Sequence, residues 1–595
     1  MTQAGPFFVG VDVGTGSARA ALVDETGSIL SESTHATTTF RSDADARIFE
    51  QSTDQIWSCI SSAVREVTKN VDASQVNGIG FDATCSLAVT DQEGRPIEVT
   101  PDGGFGVGKE RNVILWADHR AEQEAKEINQ TGSMVLNYVG KTMSLEMEIP
   151  KVLWLKRHMP ASTFASCMFF DLPDYLTFRA TGNKARSNCS LVCKCSYVPP
   201  GVDGSELGWQ PDFFKKIGLE DMVANDFEQL GGIPGRNGIV LTAGQPVGTG
   251  LSAQAAKDLG LAQGTPVGSG LIDAYAGWVG TVAAPSTNGP ASKETDLLAS
   301  QHRLAAIAGT STCHCVQSPE GILVDGVWGP YKHAVFPGLW MNEGGQSSTG
   351  QLIDFIIDTH PASAKLTALA KERDQSVFVV LESILREEAT RMGAPTLSHL
   401  TKHLTIYPDL HGNRSPLADS TMRGLFSGLK LDRGLVDLAT RYYATLEAIA
   451  LQTRQIVEAM NQKGHKIEAL YMSGGHVKNR TFMQLMADTL KMPVQLPFSH
   501  SASVVAGSAI LARYAHDVQQ TLAGSTLATQ RAAEEASYAH RDHLWELMVK
   551  MTKPGTFVFP EQKDNIDRLL DAKYKVFLEA IDTQRRWRAI VDEAV

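Results

Sequence analysis

The sequence predicts an α/β protein built from two similar halves, followed by a helical C-terminal extension. Three observations carry that reading. Two glycine-rich turns, Gly14-Thr15-Gly16-Ser17 and Gly309-Thr310-Ser311, each follow an apolar strand-like run, and they lie well apart in the chain. Helical and strand-like segments alternate behind each turn. Beyond Tyr514 the composition shifts to polar helices.

Residues 7–13 are apolar apart from Asp12 and rich in β-branched and aromatic side chains, which reads as a buried strand. A second strand over residues 18–23 ends at Asp24-Glu25-Thr26-Gly27, so the first glycine turn is the tip of a hairpin. Dinucleotide fingerprints and P-loops place a helix after their glycines; here a strand follows. Glycines let backbone N–H groups come close to a polyphosphate. Thr15 and Ser17 add hydroxyl donors, and Arg19 is placed to offset charge. Asp12 stands at the strand end, where a carboxylate can hold a hydrated Mg²⁺ that bridges phosphates. Taken alone, the stretch also reads as an ordinary hairpin with Asp12 as a satisfied turn residue. It resembles the first phosphate motif of the actin-like ATPases, which need a second such turn from the other half of the chain. Ile307-Ala308-Gly309-Thr310-Ser311-Thr312 supplies it. The resemblance implies a duplication whose halves face one another across ATP.

At 595 residues the chain is too long for one core. Hydrophobic residues make up 43% and charged residues 20%, as in soluble globular proteins. Its net charge of −12 does not suggest a nucleic-acid partner, although a local basic nucleotide pocket stays compatible with it. Residues 1–6 do not read as a signal peptide. No apolar run approaches a membrane span; residues 502–512 are too short and end at Arg513. The eight cysteines read as reduced thiols of a cytoplasmic protein. Cys189, Cys193 and Cys195, and Cys313 with Cys315, are spaced more tightly than usual zinc pairs, and nothing nearby completes a four-ligand set.

In order along the chain, residues 1–40 read as a strand meander. Residues 53–68 carry Ile56, Trp57, Ile60, Ala63, Val64 and Val67 at helical spacing, with Ser52 as N-cap. Strands follow at 76–82 and 113–116, then a helix from Glu122 to about Gln130 and bulky insertions over 134–234. The second half begins with a strand to about Ser269 and a helix opening near Asp273. Residues 285–301 read as a surface insertion. Residues 433–462 form the clearest helix, with Gly464 past its end. A strand at 469–472, the turn Ser473-Gly474-Gly475-His476 and a helix over 479–490 make an arrangement that admits a flat adenosine against backbone. Leu570, Tyr574, Phe577 and Ile581 form an apolar stripe that docks on the main body or serves a partner subunit, which leaves a homodimer open. The expected domains are residues 1–270, 271–515 and 516–595.

Asp12-Val13-Gly14-Thr15-Gly16-Ser17, Trp116-x-Asp118-x-Arg120, Gly270-x-x-Asp273, Gly309-Thr310-Ser311 and Ser473-Gly474-Gly475 occur in the order found in the FGGY carbohydrate kinases. The resemblance covers residues 7–515. Arg423-Gly424-Leu425-Phe426-Ser427-Gly428-Leu429 is similar to the start of that family's C-terminal signature, while Arg441 stands where a small residue is usual. It implies two actin-like, ribonuclease H-like domains around a central ATP and sugar cleft.

Within the family, Trp116-Ala117-Asp118-His119-Arg120 is closer to ribulokinases than to glycerol kinases. Thr84-Cys85-Ser86-Leu87 resembles the D-ribulokinase signature, with Ala88 replacing its fifth residue, and Lys573-Tyr574 with Gln584 is similar to the D-ribulokinase tail. The resemblance implies ATP-dependent phosphorylation of a pentulose, D-ribulose to D-ribulose 5-phosphate. Other FGGY substrates (L-ribulose, xylulose or a polyol) and a catalytically silent sugar sensor are the competing readings. Asp273 is the implied catalytic base and Asp12 the implied Mg²⁺ ligand. Gly14, Thr15, Gly16, Ser17, Arg19, Gly309, Thr310, Ser311, Gln346, Gly474, Gly475 and Asn479 would hold ATP. Thr84, Cys85, Ser86, Asp118, Lys194, Asp273 and Glu343 would contact the sugar. Asp118 has a second reading, as structural partner of Arg120. Cys85 reads as pocket wall rather than nucleophile, since no basic residue adjoins it in sequence.

Overall fold

A computed structural model describes residues 5–101, 110–289, 296–499, 502–561 and 563–594. Residues 1–4, at the start of the predicted meander, and 290–295, within the predicted 285–301 insertion, lie outside the described residues.

The apolar run Phe7–Val13 is buried on both faces, as a central strand must be. It pairs antiparallel with Ser17–Asp24, which pairs with Ile29–Ala36. On its other side it pairs parallel with Val76–Ala83, and that strand with Val267–Ile272. The second sheet repeats this plan. Trp340–Gln346, Thr312–Ser318 and Arg303–Ala308 form the meander. Arg303–Ala308, Ala469–Gly474 and Val494–Leu496 run parallel. Trp328–Lys332 and Thr556–Val558 extend the two edges. A third, antiparallel sheet of short strands includes Leu87–Thr90, Val113–Ile114 and Met168–Asp171.

The helix Thr53–Thr68 starts as its spacing predicts, with the Ser52 hydroxyl accepting from the Gln55 N–H at 3.3 Å. Its buried Ile56, Ile60 and Val64 stabilise the first half by roughly 1.5–3 kcal/mol each.

Two elements tie the halves together. Asp273–Val279 follows the last strand of the first sheet and packs against Arg303–Ala308 of the second. Ser503–Thr521 returns from the second half and lies on the first sheet. Its backbone comes so close that a Cβ on Gly10 would stand 2.0 Å from the Val505 carbonyl oxygen, and one on Gly80 2.1 Å from that of Ser508. Only glycine permits that approach.

The long helix Asp564–Asp592 closes the chain. Tyr574, Phe577 and Ile581 are buried against Tyr407, Met422 and Leu451, and Lys573 pairs with Glu447. The apolar stripe therefore covers the chain's own body. Among the described residues no helix is long and apolar enough to cross a membrane.

Candidate active site

Three carboxylates meet at the ends of the parallel strands. Asp12 stands level with Asp82, and Arg19 is its partner on the other side. Ile272 is level with Ala83, so Asp273 emerges beside them. The carboxyl ends of parallel strands are where open α/β sheets bind ligands. Ser508 Oγ donates to Asp82 Oδ2 at 2.5 Å, and the Asp82 carboxyl makes a further side-chain contact with that of Asp12. Burial and the facing Asp12 hold Asp82 well above the usual carboxylate range. Burial raises Asp12 too, against the pull of Arg19. Asp273 Oδ1 accepts the Ala274 N–H at 2.7 Å. Burial, and then repulsion from Asp12, push its pKa up to about 7.

The glycine turns flank this group. The Gly14 N–H donates to the Ser17 carbonyl at 2.9 Å, and the Gly309 N–H to that of Ser311 at 2.8 Å. A Cβ on Gly16 or Gly475 would meet nothing within 4 Å, and one on Gly309 only the Ser311 carbonyl at 4.0 Å. Both turns thus present open backbone of the kind a phosphate can approach. Thr15 is held by Trp116 Nε1, which donates to its hydroxyl at 3.0 Å, and by Gln51 Nε2, which donates to its carbonyl at 2.8 Å. The Thr310 carbonyl accepts from the Thr349 N–H at 2.9 Å, which seats the second turn beside the start of Gly350–Asp358. Gly474 is in register with Ala308, so Ser473-Gly474-Gly475 lies beside that turn.

Asp12 and Asp82 suit Mg²⁺, which takes one or two carboxylates and completes its octahedron with water and phosphate oxygens. No group of three His, Cys, Asp or Glu side chains able to hold a metal occurs among the described residues. The cysteines are free thiols, and Cys195 donates to Glu148 at 3.1 Å.

Deeper in, the Lys194 ammonium lies 4.4 Å over the Trp328 ring and the Arg414 guanidinium 4.1 Å over it. Arg414 donates to Glu343 Oε1 at 2.7 Å and lies 3.5 Å from Glu146 Oε2. Burial opposes the charge on Lys194, but the Glu343 and Glu146 carboxylates outweigh it and hold the ammonium protonated. Cys85 reaches the same cluster, and burial pushes its thiol up to about 12.

Several of the expected site residues are engaged within the fold. Asp118 is fully buried, and its oxygens accept from Arg120 and from the Phe49 N–H, the contacts its second reading expects. The Asn479 side chain caps its helix, accepting the Phe482 N–H at 2.9 Å, and donates to Tyr442 Oη at 2.7 Å. Gln346 is buried under the second turn and donates to the Ile449 carbonyl at 2.9 Å. Thr84 and Ser86 are buried and bond each other at 3.2 Å, so Cys85 alone of that triplet joins the charged cluster. Four residues escaped the sequence reading: Asp82, Glu146, Trp328 and Arg414. Asp82 had a legible sign, a carboxylate at the end of an apolar strand, as Asp12 is. The other three come together only through the fold.

Two facing α/β units with a glycine hairpin each, and carboxylates between them, define a sugar-kinase-type phosphotransferase. Residues 7–280 match the N-terminal domain of the FGGY family of carbohydrate kinases, and residues 304–516 its C-terminal domain. The chain belongs to that family. It is 40% identical over 676 residues to a D-ribulokinase of Saccharomyces cerevisiae, covering 99% of this chain and 94% of the relative. A human FGGY carbohydrate kinase domain-containing protein is 42% identical, covering 99% of this chain and 98% of the relative. Among solved structures, a xylulose kinase from Rhodospirillum rubrum shares the fold with a TM-score of 0.70 at 19% identity, covering 98% of this chain and 99% of that one. A gluconate kinase from Lactobacillus acidophilus does so with a TM-score of 0.70 at 17% identity, covering 97% and 98%.

Proposed function

We propose that this enzyme transfers the γ-phosphoryl group of ATP to a primary hydroxyl of an uncharged pentulose, with D-ribulose the preferred acceptor. The observation that carries the reading is the position of Asp273. Its carboxylate feels Asp12 on the phosphate side and Glu343 and Lys194 on the other. A base so placed can take the acceptor's proton while the acceptor oxygen bonds to phosphorus and the bond to the leaving ADP oxygen breaks. A carboxylate near neutrality suits that task. The two glycine turns would hold the triphosphate. Asp12 and Asp82 would hold Mg²⁺, which when bound offsets charge on the phosphate oxygens. Two cations, Lys194 and Arg414, face Glu343 and Glu146. With Asp273 added, nothing is left over for an anionic acceptor, which favours a neutral sugar over an aldonate.

D-ribulose rests on Thr84-Cys85-Ser86-Leu87 and on the D-ribulokinase at 40% identity. Free cysteines throughout suit a cytoplasmic enzyme. Asp12 and Asp273, both retained at the cleft, argue against a silent sensor. ADP release measured with D-ribulose, L-ribulose, D-xylulose, glycerol and gluconate tests the reading. The highest kcat/KM is expected with D-ribulose; a higher value with gluconate or glycerol overturns it.

A further inference from the structure

Arg414 and Glu343 make an incomplete pair. Buried arginine–carboxylate pairs that serve the scaffold are commonly bidentate. Here one bond joins them, from the terminal nitrogen of Arg414 to Glu343 Oε1 at 2.7 Å. Among the described residues, the second Glu343 oxygen and Arg414 Nε are both buried without a hydrogen-bond partner. Their side chains are only 1% and 8% exposed. The remaining guanidinium nitrogen meets the Cys313 sulfur at 3.6 Å. A guanidinium offers five N–H donors, and such groups are rarely left idle in a dry site.

The local backbone is shaped to seat it. A Cβ on Gly345 would fall 2.7 Å from Arg414 Cδ and Nε, so the side chain lies flat across the strand only because that residue is glycine. Trp328 supports the guanidinium from its ring face. Glu146, 3.5 Å away, comes from the first half of the chain, so Arg414 reads both sides of the cleft. The segment that carries Arg414 is also braced from outside: Arg585 of the terminal helix lies 3.3 Å from Asp419.

We infer that Arg414 and Glu343 together bind two neighbouring hydroxyls of the acceptor, Arg414 donating to one oxygen and Glu343 accepting from the other. This rests on the sugar-kinase reading of the cleft. A vicinal diol is an uncharged group that can satisfy an idle donor and an idle acceptor at once, one oxygen accepting and the neighbouring hydroxyl donating. Arg414 is then a substrate-contacting specificity residue, and Gly345 and Trp328 position it.

The test measures D-ribulose binding by titration calorimetry without nucleotide, alongside steady-state kinetics. Arg414→Gln should weaken sugar binding and raise the sugar KM about tenfold to a hundredfold. Its KM for ATP should stay within about twofold of wild type. Arg414→Lys keeps the charge without the planar fork and should recover only part of the loss. Deoxy analogues of D-ribulose, each lacking one hydroxyl, separate contact from mere support. At least one should bind wild type weakly yet bind Arg414→Gln no worse than D-ribulose does. If every analogue loses equally in both proteins, the inference is overturned while the kinase reading stands. If Arg414→Gln does not fold, the Arg414→Lys comparison decides by the same criterion. If wild type phosphorylates none of the sugars tested, the kinase reading falls, and the inference with it.

Discussion

Two buried ion pairs of the same chemistry are completed to different degrees. Asp118–Arg120 is saturated. The Asp118 oxygens accept from the Arg120 N–H, its Nε and a terminal nitrogen, and from the Phe49 N–H. Arg120 spends its other donors on Glu50 and the Val99 carbonyl. Glu343–Arg414 keeps one idle acceptor and one idle donor. Leaving a buried polar group unmade costs about 1–3 kcal/mol. Idle capacity also occurs elsewhere, at Glu447 Oε1 for example, so at Glu343–Arg414 it is the place beside Lys194 and Trp328 that points to a ligand.

The largest way to sharpen that contrast is at the third carboxylate, where the chemistry takes place. Asp273→Asn keeps the shape and removes the base. It should lower kcat by about 10²–10⁴ with little change in sugar KM, read by ADP release. Full activity in this variant would break the assignment. Next comes the saturated pair. Asp118→Ala leaves the buried Arg120 with Glu50 as its remaining carboxylate partner and should cost about 1–3 kcal/mol of stability, seen in denaturant unfolding. The protein that remains folded should keep its sugar KM. A raised KM with unchanged stability would reverse the roles of the two pairs.

Lys194→Met removes the other cation from Trp328. It should raise sugar KM about tenfold and leave ATP KM within about twofold. The last effect concerns pH. Burial and Asp12 raise Asp273 to about 7, so its proton is bound more tightly in the folded state than in the unfolded one. Its ionisation therefore opposes folding, and stability is lost as pH rises from the ordinary carboxylate range toward 7. Without nucleotide, Asp273→Asn should melt above wild type at pH 8, and the gap should close toward pH 4. In kinetics the same shift predicts that kcat/KM for the sugar falls below about pH 7. A profile flat to pH 5 would argue that Asp273 is not the titrating base.

Much of the frame was legible because it is local. Strand alternation and glycine tips exposed both hairpins, and Ser52 with its apolar face exposed the first long helix. Asp273 was readable through the ordered set of motifs to which it belongs, since alone it also reads as a helix cap. What the sequence left open was side-chain direction. Gln346 donates to the Ile449 carbonyl, and Asn479 caps its helix. Asp118 offered two partners, and only three-dimensional neighbours such as the Phe49 N–H decide between them. Glu146, Trp328 and Arg414 lie 86 to 268 residues apart in the chain, so no local period marks them. Asp82 becomes visible once its strand is paired with Asp12, because register turns two separate acids into one site.

D-ribulose binding to wild type, Glu343→Gln and Asp118→Asn, measured by titration calorimetry in the absence of nucleotide, tests the contrast most directly. Glu343→Gln should lose about tenfold or more in affinity while Asp118→Asn binds as wild type does. Equal binding by Glu343→Gln, with the loss falling on Asp118→Asn, would contradict the account.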